Sequence, residues 1–182
     1  MKESVTRTER QASLAANIAF ELERQQRPPE TAAGVARILE PQLGSTDLLM
    51  PEQREGDPDR YRQHVLHVAP GGAFSIVSLV WLPGQTTPVH DHVSWCVVGV
   101  HLGEETEDRF TVTMRDSSEV LVQGETHRNP QGSIAWLTPP GDIHRVRNSG
   151  VDTAISIHVY GADISKLGSS IRNEYRIPVV QS

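Results

Sequence analysis

The chain has 182 residues, enough for one domain with a real core, and sets 17 Lys plus Arg against 23 Asp plus Glu for a formal net charge of -6. That balance argues against nucleic acid or an anionic membrane as partner, both of which call for a basic surface. A single cysteine, Cys96, excludes an internal disulfide framework. The stretch from Met1 to Ala16 is polar and lacks the apolar centre of a signal peptide, and no run approaches the roughly 20 apolar residues of a membrane span. The expectation is a cytoplasmic protein.

In chain order, the first elements read as helices. Leu14, Ile18 and Leu22 recur every four residues between polar neighbours, which is one face of a helix. Pro28 and Pro29 end that segment and open the next, where Ala32, Val35, Ile38 and Leu39 form a second stripe closed by Pro41 and Gly44. A short third helix is expected near Ser45. From Tyr61 onward, short runs rich in Val, Ile, Thr and Trp alternate with Pro and Gly. Strands are predicted over Phe74–Leu82, Trp95–Leu102, Phe110–Met114, Val120–Gln123, Ser133–Leu137 and Thr153–Tyr160. Turns are expected at Pro70-Gly71-Gly72, Pro83-Gly84, Gly103, Asn129-Pro130, Pro139-Pro140-Gly141 and Ser149-Gly150. The plan is a single domain over 1–182, mainly β, with the helical segment 1–60 packed on a β-barrel or sandwich.

Three of the eight histidines form a pattern. Residues two apart on a strand face the same way, so His90 and His92 can point together into a barrel. His144 follows a second turn and can bring a third imidazole from a neighbouring strand. Three neutral imidazoles on one side of a metal leave the other side open for chemistry.

The spacing carries a resemblance. Gly84, five residues, His90, one, His92, three, Cys96, six, Gly103 resembles the first cupin motif, with Cys96 in place of the usual glutamate ligand. Pro139, one residue, Gly141, two, His144, three, Asn148 resembles the second. A thiolate ligand at Cys96 would push such a site toward zinc or copper. The flanking residues point elsewhere. Pro88 to His92 followed by Ser94-Trp95, together with Ser156-Ile157-His158-Val159-Tyr160-Gly161, resemble the cysteine dioxygenase family, which includes the bacterial 3-mercaptopropionate dioxygenases.

The resemblance spans roughly Tyr61 to Tyr160. It implies a cupin barrel, the double-stranded β-helix or jelly roll, with N-terminal helices. It implies iron(II) held by His90, His92 and His144, with a Ser156, His158, Tyr160 triad beside it. The reaction it implies adds both atoms of dioxygen to the sulfur of a small thiol, giving a sulfinate. Strand alternation independently puts Ser156, His158 and Tyr160 on one face, where hydroxyl, imidazole and phenol make a relay. No carboxylate completes a hydrolase triad there.

Within that family the residue after Tyr-x reads the substrate carboxylate. It is arginine in animal-type cysteine dioxygenases and glutamine in 3-mercaptopropionate enzymes. Here Tyr61-Arg62-Gln63 puts Gln63 in the deciding place, although a slip of one in register would present Arg62 instead. A glutamine amide cannot neutralise a carboxylate, so a second group should assist, and Arg172 is the candidate. In animal-type members a cysteine near the Cys96 position forms a thioether to the tyrosine that Tyr160 resembles. For Cys96 the alternatives are that crosslink and a buried thiol that packs as a small hydrophobe. The functional alternatives are an L-cysteine dioxygenase with the same chemistry and a non-catalytic ligand- or metal-binding cupin. The partners expected are a small thiol and dioxygen.

Overall fold

The computed structural model describes residues 6–181. Helix α1 (Arg7–Leu22) starts on a capping box. Thr6 Oγ1 accepts from the Glu9 amide at 3.2 Å while the Glu9 carboxylate accepts from the Thr6 amide at 2.7 Å. Helix α2 (Pro28–Leu39) opens on two prolines, whose fixed φ suits a first helical turn. No third helix forms near Ser45. The segment there is a turn tied by the Leu48 amide to the Ser45 carbonyl, and a single 3-10 turn follows at Pro51–Arg54.

Two sheets follow. The first has the order β1-β2-β9-β4-β7, made of β1 (Arg62–Val68), β2 (Ser75–Trp81), β9 (Ala154–Tyr160), β4 (Cys96–Leu102) and β7 (Ile134–Leu137). The second has the order β10-β3-β8-β5-β6-β11, made of β10 (Ile171–Glu174), β3 (His90–His92), β8 (His144–Arg147), β5 (Glu104–Arg115), β6 (Ser118–Pro130) and β11 (Val179–Gln181). All pairings between strands are antiparallel except β11 on β6. Asn129-Pro130 closes β6 instead of turning, and the turn falls one step later at Gln131-Gly132.

The sheets meet face to face, and the helices cover the back of the first. Leu14, Ile18, Val35 and Leu39 form one core with Ile76, Val80, Val97, Ile155, Ile157 and Val159. The alternate residues of the same strands look the other way. Val77, Leu79, Trp81, Cys96 and Tyr160 meet Val146 of β8 in the barrel interior. Strands β2 and β9 are therefore buried on both faces along their whole length, which is why they read as near-continuous apolar runs. A fully buried aliphatic side chain in such a core contributes about 1.5–3 kcal/mol. This is a cupin jelly roll with an N-terminal helical cap.

Candidate metal centre

The two motif glycines earn their place at turns that lead toward the histidine strands. Gly84 has φ 82° and Gly141 φ 97°, the left-handed region that side chains avoid. Beyond these turns, β3 and β8 pair with His90 directly opposite His144. His92, two residues along β3, shares the His90 face. The result is a buried trio whose nitrogens lie within 4.8 Å of one another, the only such group of three donors among the described residues. Ring centroids are 4.6 to 4.9 Å apart, and His90 Nε2 lies 3.3 Å from His144 Nε2.

Each imidazole has its Nδ1 occupied by a fixed acceptor. His90 Nδ1 meets the Pro88 carbonyl at 3.0 Å, His92 Nδ1 the Asp142 carboxylate at 2.9 Å, and His144 Nδ1 the Glu107 carboxylate at 2.8 Å. With Nδ1–H donated outward, each Nε2 lone pair turns to the shared centre, the arrangement that orients metal-ligating histidines. Burial also favours the neutral rings a metal requires. It lowers the His90 pKa to about 3, helped by the neighbouring His144 and His92, and it lowers that of His144. The donor set therefore fits a divalent metal that takes three imidazoles, and no carboxylate belongs to the group.

His158 and Tyr160 line the same cavity, and Ser156 lies behind them on β9. Ser156 Oγ lies 2.9 Å from His158 Nε2, and Tyr160 Oη lies 2.9 Å from His158 Nδ1. The Tyr160 ring centroid is 6.2 Å from that of His92. Full burial holds His158 neutral, with a pKa of about 3, and pushes the Tyr160 phenol well above its ordinary value. Cys96 and Tyr160 are direct cross-strand partners on β4 and β9, both buried, and Cys96 Sγ is 3.9 Å from His158 Nδ1. Cys96 stands beside the relay and outside the histidine group.

The cavity is small and opens to solvent on one side. Gln63 and Tyr61 form one wall, with Tyr61 stacked on Trp81 at 4.5 Å between centroids, and Ser170 closes another. Arg62 is exposed on the opposite face of β1, 3.6 Å from Glu55. Arg172 does not reach the cavity. On β10 it is Ile171 that faces in, and the Arg172 guanidinium is bound to Asp91, with Nε at 3.2 Å. Asp91 lies between His90 and His92 on β3 and so points away from the histidine centre, taking Asn173 and Tyr175 as further partners. The structural reason is strand alternation on both strands.

Sequence reasoning missed Asp142, Glu107 and Glu105. Asp142 stood inside the second motif run, directly before the Ile143-His144 pair. Glu105 and Glu107 sit in Glu104-Glu105-Thr106-Glu107-Asp108, which reads as solvated surface charge. The usable signal was its period of two. Glu105 and Glu107 are both buried and border the barrel interior, while Asp108 faces Arg145 and Arg147 on the outer side.

The chain is similar to known proteins in sequence and, more distantly, in structure. The family model for cysteine dioxygenase type I matches residues 52–169. Human cysteine dioxygenase type 1 is 27% identical over 150 residues, covering 72% of this chain and 74% of that protein. The rat protein of the same name is 28% identical over 151 residues with the same coverage. Among solved structures, a protein with a double-stranded β-helix domain from Klebsiella pneumoniae superposes with a TM-score of 0.47 at 22% identity, covering 62% of this chain and 84% of that one. An RmlC-like cupin from Desulfovibrio desulfuricans gives a TM-score of 0.44 at 21% identity, covering 62% and 92%. No helix among the described residues is long and apolar enough to cross a membrane.

Proposed function

Because the chain belongs to the cysteine dioxygenase type I family, an oxidoreductase family of non-heme iron dioxygenases, we propose that it converts a small thiol carboxylate of the 3-mercaptopropionate type, with dioxygen, to the sulfinate. One observation supports this most. Three Nε2 atoms converge without a carboxylate, and the Ser156–His158–Tyr160 chain ends in the same cavity. His90, His92 and His144 would hold iron(II), which would supply the positive charge that lowers the pKa of a thiol substrate and the redox chemistry with dioxygen.

The remaining work falls to the protein. Gln63 presents an amide to the substrate carboxylate from β1, and Tyr61 on Trp81 keeps that wall rigid. Arg60 and Asp57 lie in an open surface depression that adjoins the cavity at Tyr61, Gln63 and Ser169. Tyr160 holds its hydroxyl at the reacting centre, oriented through His158 by Ser156. Among the described residues no Asp or Glu lines this cavity to receive a substrate ammonium, which favours a thiol acid without an amino group. The name shared by the curated relatives favours L-cysteine as the second reading.

The experiment is anaerobic loading with iron(II), followed by oxygen uptake and sulfinate detection with 3-mercaptopropionate, L-cysteine, cysteamine and mercaptosuccinate. The expected kcat/KM for 3-mercaptopropionate exceeds that for L-cysteine by about 10-fold or more. A reversed order gives the second reading. No sulfinate from any thiol removes both.

A further inference from the structure

One wall of the cavity at the histidine centre is built by the chain after β9. Gly168 ends the short helix α3 (Ile164–Leu167) at φ 74°, and Ser169, Ser170 and Ile171 then pass along the cavity into β10. β10 is an edge strand that pairs with β3 alone. Ile171 stands opposite His92, Asn173 opposite Asp91 and Glu174 opposite His90, which leaves Arg172 as one extra residue, a β-bulge. In a regular strand Arg172 and Asn173 would face opposite ways. The bulge lets both side chains bind Asp91 on the outer face, while Ile171 stays in the cavity wall.

Asp91 is 2% exposed, and its side-chain partners among the described residues all come from the three positions just beyond that wall. Oδ1 accepts from the Asn173 amide at 2.9 Å and from Asn173 Nδ2 at 3.1 Å. Oδ2 accepts from Arg172 Nε at 3.2 Å, from Arg172 Nη2 and from the Tyr175 hydroxyl at 3.1 Å. A buried carboxylate needs its oxygens satisfied, and a guanidinium fork does so with geometric precision. The backbone adds one bond on either side of this clasp. The Val93 amide donates to the Ser170 carbonyl at 3.0 Å, and the Tyr175 amide donates to the Val89 carbonyl at 2.9 Å. β3 offers only three residues for pairing, so the side-chain clasp supplies much of what fixes β10 in place.

We propose that Arg172 is a positioning residue for the substrate: through Asp91 it locks the Ser170–Ile171 wall to the strand that carries His90 and His92, and so sets how closely the cavity fits its thiol. Arg172 itself touches nothing in the cavity. Its effect passes through the backbone, because the residue it anchors stands next to Ile171, and Ile171 is the register partner of His92. Outward movement of β10 therefore widens the cavity beside the histidine centre. The chemistry of the clasp is specific to arginine. Its fork reaches one carboxylate oxygen with two N–H groups, whereas lysine offers a single point charge to the same oxygen.

The clasp stands on geometry alone, whereas its consequence for substrate rests on the thiol dioxygenase reading, and the test has one arm for each. Arg172→Met keeps the stem and removes the guanidinium. In the metal-free protein, amide hydrogen exchange at Val93 and Asn173, both bonded across the β3–β10 seam, should quicken about 10-fold or more. The His92 amide, which donates to Asp142 on the other side, should not change. In the iron-loaded protein, KM for 3-mercaptopropionate should rise about 10-fold while kcat stays within about 2-fold and iron content is kept. The bulkier mercaptosuccinate should lose less, so the preference for 3-mercaptopropionate over it should narrow by about 5-fold. Arg172→Lys should recover part of both effects. If Arg172→Met does not fold, Tyr175→Phe, which removes one hydroxyl from Asp91, should show the same pattern at smaller size. Unchanged exchange at Val93 and Asn173, an equal rise at His92, or faster exchange with KM and preference intact overturns the proposal. Absence of sulfinate from every thiol in the parent overturns the functional reading, and the exchange arm then decides the clasp by itself.

Discussion

The buried Glu105 on β5 makes a stability prediction that needs no turnover. A carboxyl at 2% exposure, walled by Val98, Val100, Ile134 and Leu137, folds more readily neutral than charged. Its pKa rises from 4.5 to about 7, which at about 1.4 kcal/mol per unit is worth about 3 kcal/mol. The sign follows from linkage. The folded chain holds this proton more tightly than the unfolded chain, so the contribution is complete below pH 4.5 and is lost as pH rises through about 7. Glu105→Gln has no such proton, so its stability relative to the parent should improve by most of that amount between pH 5 and pH 8. With a urea slope of about 2 kcal/mol per molar, the two midpoints should shift relative to each other by about 1–1.5 M. Tryptophan fluorescence of the metal-free proteins at the two pH values reads this directly, since other titrating groups are common to both. A midpoint difference that stays constant from pH 5 to pH 8 would refute the reasoning and show the carboxylate solvated through its cavity.

Three further outcomes follow. Tyr160→Phe removes one hydroxyl and almost no volume, so metal content and thermal stability should hold while kcat falls about 10²–10³-fold; turnover like the parent's would make Tyr160 a core residue only. Asp142→Asn removes the charge that receives both the His92 amide at 3.1 Å and His92 Nδ1 at 2.9 Å, so iron(II) affinity measured by chelator competition should weaken about 10–100-fold. Unchanged affinity would mean that His92 is oriented by β3 alone. Peptide mass spectrometry after repeated turnover decides between the two readings of Cys96, which pairs across the strands with Tyr160: separate, unmodified Cys96 and Tyr160 peptides leave it a packing thiol, and a linked pair lighter by two hydrogens, with dioxygen as the oxidant, is the thioether.

Much of this arrangement was legible in the chain because two periodicities coincide. The four-residue spacing of Leu14, Ile18 and Leu22 marks a helix, and two-residue spacing places Ser156, His158 and Tyr160 on one face. Alternation likewise separated Gln63, which lines the cavity, from exposed Arg62. The same rule, applied to β10, would have turned Arg172 away from the cavity once β10 was known to pair with β3, but that pairing is a long-range fact that no local pattern carries. The carboxylates behind the histidines were hidden for a different reason. Glu105 and Glu107 are buried by the closure of the two sheets, and an acidic run looks solvated until its strand is given a second face. The expected helix near Ser45 is replaced by a turn because Pro51, which has no N–H to return to a helix carbonyl, stops it and opens the 3-10 turn that follows.

Strand β9 has one face in the helical cap and the other in the cavity, and neither touches water. Such a strand has no neutral direction in which to drift. Inserting or deleting one residue would carry Ser156, His158 and Tyr160 into an apolar interface and bring Ile155, Ile157 and Val159 against the metal ligands. The unpaired polar groups and the misplaced apolar ones would then unfold the barrel and silence the chemistry in one event. Length changes across Ala154–Tyr160 should therefore yield no folded but inactive chain, and tolerance to them should be confined to the neighbouring exposed turn at Ser149–Asp152.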